Sequence, residues 1–436
     1  MNEAGLKDVF RVIENTNGIF LAFNSNIDVI KHVDKSMEKY AKNPQPRLVK
    51  LKNPRDLFSG ILYSMKNGES AELTMNSSLE KWLSKNILPE RRRMGGQAGI
   101  MANILAILGT QPIVYTPLLS KDQRKMFSKK VLLVDRGLKH PSRVKRNDNK
   151  KTNWIFEFHK GQKFFGVTAK DTTRFIAASR PEKFRLKNIK LDFNFSCAVL
   201  SGFQCILEKY KDGHTYMDQF HIAKNLAKQI KARRKPIHIE MAFIKSKKIM
   251  SKTLEVASGV DSIGLDESEL MQILEFFGER KLAKKIRAKH DITDIFIGIK
   301  KMYQKIAVKK IHLHGRGYFL SICKDYHTKP ENVRKSMEFS SVVAAAQASN
   351  IIKTKSDVRG GLKFPVSKIG KEAGKKLTSY LRSKKLVMKN GICHDGEHYI
   401  IFVPTPLVRR ARDIVGLGDM ISASIFVAET GYTLAE

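Results

Sequence analysis

Five residues near the C-terminus, Val415-Gly416-Leu417-Gly418-Asp419, combine the types needed to move a phosphoryl group. The apolar run Tyr399 to Val403 precedes them and reads as a buried strand. Met420 to Ala428 follows, with Ile421, Ser424, Ile425 and Ala428 at helical spacing. Gly-x-Gly-Asp therefore falls where a loop becomes a helix. Two glycines let backbone N–H groups converge without interference from a Cβ, and a helix N-terminus attracts negative charge. An Asp placed at such an anion site is in conflict with it unless it acts as a base. It would take a proton from a hydroxyl while the adjacent N–H groups hold the phosphoryl group that the hydroxyl attacks. Taken alone, these residues are read more simply as an Asp N-cap after a glycine turn; companion motifs reverse that preference.

The companions stand at the ends of expected strands. Gly18 to Phe23 reads as a buried first strand that runs into Asn24-Ser25-Asn26-Ile27-Asp28, and open α/β sheets bind ligands at the carboxyl ends of their strands. An isolated Asn-x-Asp would be an Asx turn. Arg93-Met94-Gly95-Gly96-Gln97-Ala98 opens a helix with small residues. Such a turn lets a ligand approach the backbone, and Gln97 offers a hydroxyl both a donor and an acceptor. Tight packing of a helix on a sheet would call for the same residues. His238 and Glu240, two apart on a strand, point to one face. Glu72 is a candidate sugar contact that in isolation would be a surface acid.

Elements that must position these groups alternate strand and helix: Ala198 to Gly202, a helix from Met217 to Lys231, Pro236 to Glu240, a helix after Ser246, Val260 to Leu265, a helix containing Glu269, Ile311 to His314, and a helix from Val333 to Lys355. This order, with Pro112 to Tyr115 earlier, predicts an α/β fold: a mostly parallel sheet with helices on both faces. Val29 to Arg93 does not alternate in this way and reads as an insertion, part of a lid, with extended pieces at 47–51 and 71–75. Thr152 to Phe158 reads as a lid strand, with Lys163 to Gly166 as its hairpin partner across the turn His159 to Gln162. Arg174 lies where the chain returns to the core. The expected core is 1–28, 94–150 and 181–436, and the lid 29–93 and 151–180.

Composition narrows the class. Lys plus Arg is 80 and Asp plus Glu 42 in 436 residues, a formal net charge of +38. That makes a nucleic-acid-binding protein a rival reading. The basic residues are spread along the chain with no long basic tail, which favours a solvated surface that attracts anionic substrates. No apolar run is long enough to span a membrane, and no signal-peptide pattern opens the chain. Cys197, Cys205, Cys323 and Cys393 form no CxxC pair, which suits reduced thiols in a cytoplasm.

Together Asn24 to Asp28, Arg93 to Asn103, His238-Ile239-Glu240, Ser262 to Glu269 and Val415 to Asp419 resemble the ADP-dependent sugar kinases, the archaeal glucokinase and phosphofructokinase family of the ribokinase superfamily. The resemblance covers nearly the whole chain. It implies a ribokinase-like core with a small β-rich lid, and transfer of phosphate from ADP to a sugar, leaving AMP, with Mg2+. Carried over by position, Asp419 is the base, the N–H groups of Gly416, Leu417 and Gly418 form the anion hole, and Arg174 reaches the nucleotide phosphates. Asn26, Asp28, Gly96 and Gln97 would face the sugar. Glu240 and Glu269 would orient the water shell of Mg2+, which keeps several waters and prefers oxygen. Asp266, where many members have Asn, would add charge beside the metal.

On the sugar the signals divide. Glu72 matches a glutamate of glucose-using members. Lys160 matches a lysine of the phosphofructokinases, with Arg180 or Arg185 as its partner on a 6-phosphate. The expectation is a bifunctional enzyme that prefers fructose 6-phosphate and serves a modified glycolysis, with a strict glucokinase as the alternative. A cytoplasmic monomer with no specific nucleic-acid or membrane partner is expected. Met420 and Ile414 stand where the family has Thr, and Gly315-Arg316 departs from its pattern after His-x-His.

Overall fold

The computed structural model describes residues 1–179, 184–408 and 415–436. Strand Ile19–Ala22 is buried along its length and pairs in parallel with both Cys197–Leu200 and Pro112–Tyr115. Its side chains alternate between two cores, Phe20 and Ala22 in one, Ile19 and Leu21 in the other, as the two-residue strand period requires. An eleven-stranded sheet grows around it in the order 392–394, 399–404, 318–323, 310–315, 262–265, 237–240, 197–200, 19–22, 112–115, 132–134, 138–139. From Lys310–Gly315 to Leu132–Val134 the pairing is parallel, and antiparallel strands finish both edges.

Parallel strands need both faces covered. Helices Tyr216–Ala232, Lys247–Ala257, Glu267–Phe276 and Ile292–Lys305 cover one face. Glu3–Glu14, Gln97–Leu108, Pro330–Ser349 and Leu417–Ala435 cover the other. The C-terminal helix is pinned to the sheet by a buried pair: Lys310 Nζ lies 2.6 Å from Glu429 Oε1, and the Tyr326 hydroxyl donates to Oε2 at 2.8 Å. Paired and hydrogen-bonded is the form in which an interior tolerates charge.

A second sheet of five strands runs Ala71–Thr74, Thr173–Ala178, Thr152–Phe158, Asn26–His32, Arg91–Gly95. Its two faces differ sharply. Ile27, Val29, Trp154, Phe156, Phe175 and Ala177 pack against helices Pro54–Asn67 and Ser77–Asn86. The register sets Asp28 beside both Arg93 and Asn153, and Arg174 beside Glu157, on the opposite face.

Three expectations are corrected. Asn26 and Asp28 lie on the first strand of the small sheet, not in a loop that ends the strand before it. In Val29 to Arg93, two helices stand where only extended pieces were expected, and of those pieces 71–74 is a strand while 47–51 is irregular. Lys163–Phe164 pairs with Val167–Thr168, whereas the antiparallel neighbour of Thr152–Phe158 is Thr173–Ala178. Phe165 and Gly166, at φ 45° and 77°, close a two-residue turn, the tightest hairpin geometry, so Lys163–Phe164 finds a nearer partner. Among the described residues no helix is long and apolar enough to cross a membrane. All four cysteines are free and buried.

Candidate active site

Helix Leu417–Ala435 starts from Gly416 at φ 76°, ψ 13°, a left-handed conformation that costs glycine nothing. A Cβ there would come within 2.4 Å of Ile100 Cδ1. First-turn N–H groups have no acceptor within a helix, so Leu417 and Gly418 present theirs at the helix mouth. Gly418 abuts His314: a Cβ would sit 2.6 Å from its Nε2.

Asp419, in the first turn, faces the polar side of the small sheet. Enclosure by the cleft pushes its carboxyl up to about 7; a hydrogen bond from Gln97 and the charges of Arg174 and Arg93 pull it down, and Asp28 pushes it up. A carboxylate poised near neutrality is suited to take a proton and release it. Arg93 joins the two sheets, since its Nη2 donates to the Val415 carbonyl at 2.8 Å and its Nε lies 3.9 Å from Asp28 Oδ2. Asp28 also accepts from Asn26 Nδ2 at 2.7 Å. Burial raises the Asp28 carboxyl, opposed first by Arg93, then by Asn26, Lys151 and Arg174. Gly95 makes this packing possible, because a Cβ there would fall 2.1 Å from Asp28 Oδ1.

Gly96 caps helix Gln97–Leu108 at φ 72°. A side chain would strike the Asn24 carbonyl at 2.7 Å and Asn26 Oδ1 at 2.8 Å. Gln97 is fixed on both ends of its amide. Its Oε1 accepts from Gly202 N at 2.8 Å and Gln204 Nε2 at 3.1 Å, and its Nε2 donates to the Met241 carbonyl at 2.9 Å. It therefore ties the carboxyl ends of two core strands to Asp419. Asn26 Oδ1 and Arg174 Nε are buried with no partner among the described residues, a costly state for polar atoms that a polar ligand in the cleft would relieve. Burial pulls Arg174 down, against the opposing charges of Glu157, Asp28 and Glu72.

A second acidic group lies beneath the helix mouth. Glu240 Oε2 stands 3.2 Å from His238 Nε2, whose Nδ1 lies 3.0 Å from Ser262 Oγ. Burial raises the Glu240 carboxyl well above its ordinary value, and Asp419, Glu269 and Asp266 add to the rise. Burial and Asp266 likewise raise Glu269. Asp266 and Glu269 form a capping box, Asp266 N donating to Glu269 Oε2 at 2.9 Å and Glu269 N to Asp266 Oδ1 at 2.8 Å. Gly264 leaves the space, since a Cβ there would lie 2.1 Å from Glu240 Oε2. Among the described residues no three His, Cys, Asp or Glu side chains gather to hold a metal ion directly. Mutually repelling carboxylates, with no neutralising cation among the causes that act on Glu240 and Glu269 from the described residues, nonetheless fit a hydrated divalent ion, held through its waters.

The remaining expected site residues are dispersed. Glu72 is exposed; its carboxylate acts on Arg174 and Cys205, and its carbonyl accepts from Lys245 Nζ at 2.8 Å. Lys160 is exposed on the turn after Thr152–Phe158. Arg180 and Ile414 lie outside the described residues. Arg185 is engaged by Asp212 and lies 4.9 Å from the Tyr210 ring centroid. Sequence reasoning missed Lys151. It is buried, with Nζ 2.6 Å from Asn24 Oδ1 and 3.1 Å from Cys205 Sγ, and its charge reaches Asp28. Its signal was position, one residue before a strand that begins beside the Asn24 to Asp28 segment.

A glycine-lined helix mouth, an elevated carboxylate, and a polar sheet face closing over the carboxyl ends of parallel strands define a phosphoryl-transfer enzyme of the sugar-kinase type. The conserved region of the ADP-specific phosphofructokinase/glucokinase family matches residues 17–428. The ADP-dependent glucose/glucosamine kinase of Pyrococcus furiosus is 30% identical over 98% of both chains. The ADP-specific phosphofructokinase of Methanosarcina acetivorans is 32% identical over 94% of this chain and 93% of its own. A solved ADP-dependent kinase in complex with fructose-6-phosphate and ADPβS superposes with a TM-score of 0.88 at 32% identity, covering 98% of this chain and 96% of that one. The chain belongs to the ADP-specific phosphofructokinase/glucokinase family and is an ADP-dependent sugar kinase.

Proposed function

We propose that this kinase transfers the β-phosphate of ADP to the C1 hydroxyl of fructose 6-phosphate, giving fructose 1,6-bisphosphate and AMP, and to glucose as a second acceptor. The observation that carries the reading is Asp419, raised to about 7 and hydrogen-bonded by Gln97, within the field of Asp28, Arg174 and Arg93. Asp419 takes the hydroxyl proton as the sugar oxygen bonds to the β-phosphorus and the bond to the AMP oxygen breaks. The amides of Gly416, Leu417 and Gly418 receive the migrating phosphoryl group, and Arg174 balances charge on the nucleotide phosphates. Asn26, Asp28, Gly96 and Gln97 orient the acceptor. Glu240, Glu269 and Asp266 would hold hydrated Mg2+, which offsets phosphate charge when bound. The five-stranded sheet is the lid, and the enzyme works in the cytoplasm as a monomer.

For the 6-phosphate we favour Lys151 over Lys160, because it is the buried lysine beside Asn24 and Asp28. Glu72, at the cleft margin, supports use of glucose. Purified protein with ADP and divalent cation, assayed for AMP against each sugar, tests the proposal. Turnover with fructose 6-phosphate above glucose is expected. Equal rates with ATP, or no turnover with either sugar, would overturn it.

A further inference from the structure

A second cationic cavity lies at the pole opposite the catalytic cleft. It has a volume of about 480 Å3 and is lined by Lys231, Arg234, Lys235, Lys309, Asp261 and His327, among others. The cavity sits at the amino ends of the parallel strands: Lys235 and Pro236 precede Ile237–Glu240, Asp261 precedes Ser262–Leu265, and Lys309 precedes Lys310–Gly315. Substrates of open α/β sheets occupy the carboxyl ends, so the kinase reaction does not account for it.

Its charge is unbalanced. Asp261 is the carboxylate of the lining, and it is already used: Oδ1 pairs with Lys309 Nζ at 2.9 Å and Oδ2 accepts from Ile237 N at 2.9 Å. Lys231, Arg234 and Lys235 make no ion pair among the described residues. The wall also carries His327, both of whose ring nitrogens are buried without a hydrogen-bond partner among the described residues. The far wall is the C-terminal end of helix Leu417–Ala435, through Thr430 and Thr433. The same helix begins at the anion hole.

We infer that this cavity is a binding site for a small anion bearing two or more phosphate groups, distinct from the catalytic cleft. Three unmatched cations around a concavity of this size suit the charge and bulk of an oligophosphate, and Arg supplies the planar fork that phosphate oxygens accept from. The helix shared by both sites gives a physical route by which occupancy would reach Asp419.

Isothermal titration of the full chain with inorganic tripolyphosphate tests this. The wild type is expected to bind two equivalents, one displaced by ADP and one not. Lys231→Glu with Lys235→Glu should keep sugar-kinase turnover without effector and lose the ADP-insensitive equivalent, weakening it roughly tenfold or more, since one charge-assisted contact is worth about that factor. Arg234→Ala, which adds no new charge, should weaken the same equivalent more mildly. Lys368→Glu with Lys371→Glu, on a different helix, controls for general attraction to a basic surface. One equivalent in the wild type, or equal weakening in the pocket and control variants, would overturn the inference.

Discussion

Replacing Asp419 with Asn should stabilise the protein while abolishing its chemistry, and the two effects come from one cause. The carboxyl rises from its ordinary 3.8 to about 7 in the folded protein. At about 1.4 kcal/mol per pH unit this corresponds to roughly 4 kcal/mol of disfavoured ionisation. Asp419 is half-buried, and screening reduces the figure to about 2 kcal/mol. The sign follows from proton binding. Between about pH 4 and 7 the unfolded chain has lost this proton and the native one retains it, so native stability falls as pH rises through that window and levels off above it. Asn carries no such penalty. Thermal unfolding of the ligand-free protein should show the variant melting roughly 2–4 °C above the wild type at pH 8, with the gap closing toward pH 4. Turnover should fall about 10²–10⁴-fold, the usual contribution of a positioned base. A melting difference that does not change with pH, or a loss of turnover below tenfold, would refute the assignment of Asp419 as an enclosed base.

Further outcomes follow from the same geometry. Arg93→Ala removes a charge that lowers Asp419 and a bond to the Val415 carbonyl, so the acid limb of the rate profile should move to higher pH and kcat should drop, about tenfold; an unmoved limb would separate Arg93 from the base. Gly264→Ala places a methyl where Glu240 Oε2 stands, 2.1 Å away. It should cost about 1–3 kcal/mol of stability and raise the divalent-cation concentration needed for half-maximal rate, read from denaturant melts and a Mg2+ titration. Lys151→Met, which keeps the bulk and deletes the cation, should raise KM for fructose 6-phosphate about tenfold or more while leaving KM for glucose within a few-fold; equal effects on both sugars would count against Lys151 as the phosphate contact.

Much of this was legible in the sequence because it is local. Apolar runs of four to six residues bounded by turn residues mark the parallel strands, and the period of the side chains forces them to be buried on both faces. Gly416 to Asp419 announces a helix mouth with a carboxylate, since only glycines there allow the amides to converge. What tertiary structure alone decided is non-local. Sequence spacing cannot say that Asp28 pairs across strands with Arg93 and Asn153, or that Thr173–Ala178 rather than Lys163–Phe164 lies beside Thr152–Phe158. Lys151 looked like one lysine among many until packing buried it against Asn24 and Cys205. Asp419 owes its raised proton affinity first to burial, which Asp28 reinforces and Gln97, Arg174 and Arg93 oppose, groups scattered over much of the chain. An electrostatic environment is a sum over neighbours in space, and which neighbours those are is settled only when the two sheets meet.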